Sequence, residues 1–270
     1  MEAADPKFEN SKFTEDELEQ AIIELFKQQD SNGVRWSYAN GELLHRRFDE
    51  PLMEDRLKSS LRRRYADIDL TEGELRTLVG ELKRIPSIPL YDGCRRAFWL
   101  INEGHTLLRE DASKPAVHIE YIDFENISSN DFLIVNQYTV EDVRTRRPDL
   151  LCFVNGIPLA ILEFKTAIEE DKTIHDAWKQ IAIRYARDIP SLLKYCCIAA
   201  ISDGATARSA PCSLRTRIST PGTRPMTSTR CRTASARFTP WSRARSRPTA
   251  SWQSFATSSF SQTIARTPPR

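Results

Sequence analysis

Arg147-Pro-Asp-Leu-Leu-Cys-Phe-Val-Asn-Gly-Ile-Pro-Leu-Ala-Ile-Leu-Glu-Phe-Lys165 is the stretch whose reading decides the fold. Two apolar runs flank Asn155-Gly156, a dipeptide that signals a two-residue hairpin. Asp149 opens the first run; Glu163 and Lys165 close the second. Period-2 alternation puts Glu163 and Lys165 on one face of their strand. The hairpin brings Asp149 near them. Two carboxylates and an ammonium on otherwise oily strands are costly unless they have a task. A hard divalent cation suits the place, since Mg²⁺ takes oxygen ligands and keeps several waters. The main-chain carbonyl of Phe164 offers another hard oxygen. An edge-strand salt bridge from Lys165 to Asp149 or Glu163 is the competing reading.

Two carboxylates holding Mg²⁺ can polarise a phosphodiester and activate water. A lysine beside them can orient that water or stabilise charge on the phosphate. Pro148-Asp149 followed by Glu163-Phe164-Lys165 resembles the motif of the PD-(D/E)xK nucleases. The surrounding text narrows this. Ile122 to Tyr138 precedes the motif, and Arg187-Asp-Ile-Pro190 and Ile201-Ser-Asp-Gly204 come after it. From about Phe13 to Gly204 the chain closely resembles the N-terminal nuclease domain of the restriction (R) subunit of type I restriction enzymes. The resemblance implies Asp149, Glu163 and Lys165 as catalytic residues and Asp149, Glu163 and the Phe164 carbonyl as metal ligands. It also implies double-stranded DNA as substrate and methyltransferase (M) and specificity (S) subunits as partners. ATP belongs to motor domains further along such proteins, and no Gly-x-x-x-x-Gly-Lys-Ser/Thr loop occurs here. A non-catalytic docking or DNA-binding adaptor and a standalone repair nuclease remain as alternatives.

Thr14-Glu-Asp-Glu17 resembles a capping box and opens a helix with Leu18, Ile22, Leu25 and Phe26 on one face. In related nucleases an acidic residue of the first helix can approach the metal. Glu19 is the candidate, and a solvated helix face is its alternative. Further helices are expected at about 51–65 and at 71–84, the latter behind the capping box Thr71–Glu74. Residues 93–109 read as a helix leading into a strand. Strands are expected at 117–122, 131–138 and 195–201, the first two joining the hairpin in a mixed sheet. A third capping box, Thr173–Asp176, opens a helix to about Arg187 that buries Ile174, Trp178, Ile181 and Tyr185. Gln180, Arg184 and Arg187 fall at i, i+4 and i+7 on another face, which suits a DNA backbone or is ordinary exposed surface. The family often carries Gln-x-x-x-Tyr at this place. Here Arg184 occupies the tyrosine position and Tyr185 comes one residue late.

The expected fold is therefore α/β, a restriction-endonuclease-like mixed sheet flanked by helices. A nuclease domain spans 1–203, with a helical part at about 13–109 and a catalytic core at about 115–203. Composition changes abruptly near Gly204. All 37 acidic residues precede it, and residues 204–270 contain twelve arginines and no lysine. The first part thus carries a formal −10 and the 204–270 tail +12. The tail's Arg, Ser, Thr and Pro read as an out-of-frame translation; a basic DNA-binding arm and a low-complexity linker are the alternatives. No run is long or apolar enough to span a membrane. Six cysteines without a Cys-x-x-Cys pair, and an N-terminus unlike a signal peptide, point to the cytoplasm.

Overall fold

The computed structural model describes residues 14–28, 30–31, 34–165, 174–202 and 207–211. The chain begins with helix α1 (Glu15–Gln28), the short β1 (Asp30–Ser31) and β2 (Val34–Asn40). Helices α2 (Glu54–Arg64), α3 (Glu72–Lys83) and α4 (Leu90–Glu103) come next. Then come β3 (His105–Leu107), β4 (Val117–Ile119), β5 (Phe132–Asn136), β6 (Val140–Glu141) and β7 (Thr145–Arg146). The hairpin is β8 (Leu150–Val154) and β9 (Ile157–Phe164). A helical segment from Ile174 to Asp188, the short Pro190–Leu193 turn of helix, β10 (Ile198–Ser202) and β11 (Ala207–Pro211) complete it.

Seven strands form one mixed sheet in the order β1-β2-β5-β8-β9-β10-β11. The pairs β2/β5 and β9/β10 are parallel and the others antiparallel. The parallel return of β10 beside β9 is the expected crossover through the intervening helix. Helices cover both faces, which is why β5, β8 and β9 read as continuous apolar runs rather than alternating ones. One face carries Ile134, Cys152, Val154 and Leu162 against α1–α4; the other carries Leu133, Leu151, Phe153 and Ile161 against Ile181, Tyr185 and Leu192.

The hairpin turn is as the dipeptide implied: Asn155 and Gly156 have φ of 51° and 80°. The Asn155 side chain is also the tie for its surroundings. Its amide donates to the Tyr121 carbonyl (2.9 Å) and to Asn130 Oδ1 (2.8 Å), and its oxygen accepts the Asp131 N–H (2.8 Å). A bulge lies between Cys152 and Phe153, whose partners are Ala160 and Pro158. It gives Pro158 a place in a central strand and frees the Leu159 carbonyl for the Cys197 N–H at 2.7 Å.

Two expectations need correction. The strand at 117–122 does not enter the main sheet: Val117–Ile119 pairs with His105–Leu107 in a separate ribbon. The strand beside β5 is β2, from the part expected to be helical. The alternation Val34, Trp36, Tyr38 was the available sign, and Val34 and Trp36 are indeed buried. The sheet also continues past the 203/204 division, since Ala207–Pro211 pairs with β10. Thr173, Cys212, Cys231 and most of the tail lie outside the described residues; Cys94, Cys152 and Cys196 are buried free thiols and Cys197 is half-buried.

Candidate active site

The ends of β5, β9 and β10 and the start of β8 lie together at one end of the sheet's interior strands. The Gln137 N–H donates to the Asp149 carbonyl (3.0 Å), and the Lys165 N–H to the Ser202 carbonyl (2.9 Å). Asp149 and Glu163 face each other across the hairpin. Asp149 Oδ2 accepts the Phe164 N–H at 2.7 Å, and the Asp149 N–H points at Glu163 Oε1 at 3.4 Å. Glu163 is fully buried. Its two oxygens are each held by a donor: Tyr185 Oη–H to Oε1 at 2.7 Å and Gln180 Nε2 to Oε2 at 2.5 Å. Gln180 also donates to the Tyr185 hydroxyl at 2.8 Å, so the three side chains form a closed set.

Burial, and then the neighbouring Asp149, push the Glu163 carboxyl well above its usual range. Burial likewise raises Asp149, to about 6, although the Phe164 N–H and Lys165 pull it down. Two carboxylates so placed are short of positive charge, and a divalent cation is the partner that lets both ionise. Their hard oxygens suit Mg²⁺. Among the described residues no group of three or more His, Cys, Asp or Glu converges to hold a metal; the oxygens that could hold one here are those of this pair and the Phe164 carbonyl. That carbonyl now accepts Lys165 Nζ at 2.8 Å. The ammonium also lies 3.7 Å from Glu15. Of the expected ion pairs, Lys165 thus makes neither with Asp149 nor with Glu163.

Glu19 is buried rather than solvated. Its carboxylate accepts Asn136 Nδ2 and Gln137 Nε2, each at 2.7 Å. It adds to the field on Asp149 without joining the carboxylate pair. Asn136 and Gln137 are site residues that the sequence reading missed; the sign was two amides closing the apolar run Phe132–Val135. Gln137 has φ of 50°, a conformation uncommon outside glycine, at the point where β5 ends beside Asp149. Gly41 permits the close approach there, since a Cβ on it would sit 2.5 Å from the Asn136 carbonyl oxygen.

The helix after β9 does not keep a regular α register. Ile174–Lys179 is α-helical, Gln180–Tyr185 is a π-helix and Ala186–Asp188 returns to α. In π geometry residue i lies over i+5, not i+4. Tyr185, one residue late in sequence, is therefore carried back over Gln180 and onto Glu163. The same turn breaks the i, i+4, i+7 stripe expected of Gln180, Arg184 and Arg187. Gln180 belongs to the carboxylate site, Arg184 is exposed, and Arg187 is tied to buried Asp188 through Nε (2.6 Å) and Nη2 (3.1 Å). Deleting Ile183, which is 55% exposed, is expected to restore a continuous α-helix with Tyr185 still on Glu163. Its cost should stay within about 1 kcal/mol, whereas Tyr185→Phe removes a buried donor and should cost roughly 1–3 kcal/mol. Thermal melts of both variants check this; a deletion as damaging as Tyr185→Phe would refute the register argument.

A family model described as Type I restriction enzyme R protein N terminus matches residues 12–211. The chain belongs to this family. The chain is 42% identical over 109 residues to a Methanocaldococcus jannaschii protein named as the putative type I restriction enzyme MjaIXP endonuclease subunit, covering 39% of this chain and 10% of that one. It is 35% identical over 92 residues to the Haemophilus influenzae type I restriction enzyme HindI endonuclease subunit, covering 33% and 9%. It is 27% identical over 189 residues to the Staphylococcus saprophyticus type I restriction enzyme SsaAORF53P endonuclease subunit, covering 68% and 18%. The chain thus spans less than a fifth of the length of these relatives. The match to residue 211 takes in β11, beyond the 203/204 division. Among the described residues of this R-protein N-terminal domain, no helix is long and apolar enough to cross a membrane.

Proposed function

We propose that this domain is the Mg²⁺-dependent endonuclease of a type I restriction R subunit, hydrolysing phosphodiesters of double-stranded DNA. The observation that carries the reading is the fully buried Glu163 with half-buried Asp149 beside it, both with raised carboxyl pKa values, and Lys165 next to them. Bound by these carboxylates and the Phe164 carbonyl, Mg²⁺ would supply Lewis-acid polarisation of the phosphate and a more acidic water. The chain's own residues do the rest. Gln180 and Tyr185 hold the Glu163 carboxylate in one orientation, and the Phe164 N–H does the same for Asp149. Lys165 is a mostly buried ammonium with protons to give to a water or to an oxygen of the phosphate as charge develops there.

In this reading M and S subunits supply sequence recognition, and ATP serves motor domains elsewhere in the R subunit. Calorimetry on this chain should show a Mg²⁺ or Mn²⁺ site that Asp149→Ala abolishes. In an R subunit that joins this segment to its motor, Lys165→Ala should lower cleavage on the order of 10²- to 10³-fold and spare ATP hydrolysis. Absence of the metal site together with undiminished cleavage by Lys165→Ala would leave the fold as a docking module.

A further inference from the structure

We propose that the cleft walled by Arg146, Arg147 and Arg184 seats a DNA-strand phosphate next to the point of cleavage; the inference rests on the nuclease reading above. The cleft encloses ≈ 230 Å³ and is lined by Thr145, Arg146, Arg147, Gln180, Arg184 and Tyr185. Gln180 and Tyr185 are the two side chains that hold Glu163, so an occupant lies one side-chain layer from the carboxylate pair. Three guanidiniums and no carboxylate line it, which selects an anion. Planar guanidinium forks match phosphate oxygens better than any other side chain does.

The walls are built in advance. Arg146 is oriented from behind by Asp188, whose carboxylate is fully buried and accepts Arg146 Nε at 2.7 Å and Nη2 at 2.5 Å. The Arg144 N–H donates to the Asp188 carbonyl (3.1 Å), fastening the β6–β7 ribbon to the helix end. Arg187 grips the same carboxylate and is thereby a positioning residue, not part of the phosphate site. Arg184 makes no ion pair among the described residues, and Arg147 pairs with Glu42, an exposed carboxylate that a phosphate can replace. Arg187 thus leaves the DNA-contacting set that helical spacing suggested. Arg146 and Arg147, from a ribbon remote in sequence, enter it.

Binding of a short fluorescent duplex, measured across a salt series, tests this in an Asp149→Asn background that removes turnover. Adding Arg147→Ala and Arg184→Ala should weaken binding about tenfold or more and lower the log–log salt slope by about 1, the share of the one phosphate the cleft holds. Adding Arg187→Ala instead should leave the slope unchanged. An unchanged slope in the double-arginine variant, an equal drop with Arg187→Ala, or no duplex binding by the parent chain overturns the cleft assignment. Cleavage by the unsubstituted R subunit judges the nuclease reading separately. Inorganic phosphate, titrated by calorimetry at constant ionic strength, distinguishes the source of the anion. Phosphate binding that the double variant loses while duplex binding persists would overturn the strand assignment.

Discussion

Asp149→Asn is expected to raise the melting temperature of the metal-free chain at pH 8 by several degrees and to reduce Mg²⁺-supported cleavage on the order of 10³-fold. Both effects come from one charge. Burial raises the Asp149 carboxyl to about 6 against the help of the Phe164 N–H and Lys165. Asparagine keeps an oxygen for that N–H and removes the charge that disfavours Glu163. Taken at about 1.4 kcal/mol per pKa unit, and allowing for partial exposure of Asp149, the gain is roughly 1–3 kcal/mol.

The pH dependence has a definite sign. The folded pKa of Asp149 is raised, so the native state holds the proton more tightly than the unfolded chain. That stability is fully present below about pH 4 and is lost as pH rises through about 6. Asp149→Asn should flatten this part of the curve. Adding Mg²⁺ or Mn²⁺ at pH 8 should raise the melting temperature of the unsubstituted chain and leave that of the variant unmoved. Scanning calorimetry from pH 4 to 8, with metal and with EDTA, reads all of this. A variant that melts below the unsubstituted chain at pH 8 in EDTA would contradict the picture of a charge held at a cost for function.

Glu74→Ala, far from the carboxylate pair, is expected to destabilise the fold by roughly 3–5 kcal/mol, as the loss of one partner from a buried ion pair does. Glu74 is almost wholly buried and Arg109 nearly so, at 2.6 Å. The same carboxylate accepts the Thr71 and Glu110 N–H groups, each at 3.0 Å, while Thr71 Oγ1 accepts the Glu74 N–H to close the capping box. Burial opposes the charge, but Arg109 and the two N–H donors outweigh it and hold the carboxyl down at about 2. Alanine leaves those donors buried and unpaired. Because the folded pKa is lowered, the contribution is present above about pH 4.5 and fades as pH falls through about 2. The loss should therefore be full at neutral pH and shrink in acid, and Glu74→Gln, which retains acceptors, should lose less. Urea melts at pH 7 and pH 3 test it. Equal losses at both values would show that packing, not charge, explains the site.

Local signals carried far where one element answered to its own residues. Asn155-Gly156 took the positive-φ turn, and Thr14 and Thr71 formed their capping boxes with Glu17 and Glu74. Asp149 and Glu163 met through the hairpin and its bulge: the register shift between Cys152 and Phe153 pairs Leu150 with Leu162 and so carries Asp149 to Glu163, where the register continued from the turn would have carried it to Leu162. Other features were not legible because they depend on partners distant in the chain. Glu19 looked like surface until Asn136 and Gln137 closed over it. Arg187 looked free until Asp188 was seen to be buried beneath it.

Sequence alone sufficed for the carboxylate-bearing hairpin, the mixed α/β class and the family, since these rest on apolar period, turn chemistry and a dense local motif. Only the folded chain settled that β2 rather than the 117–119 strand flanks β5, because strand pairing depends on long-range packing on both faces of the sheet. The reach of Tyr185 to Glu163 likewise emerged only there. A π turn trades regular helix geometry for a hydrogen bond to a buried carboxylate, and that exchange becomes visible only when the carboxylate is in place.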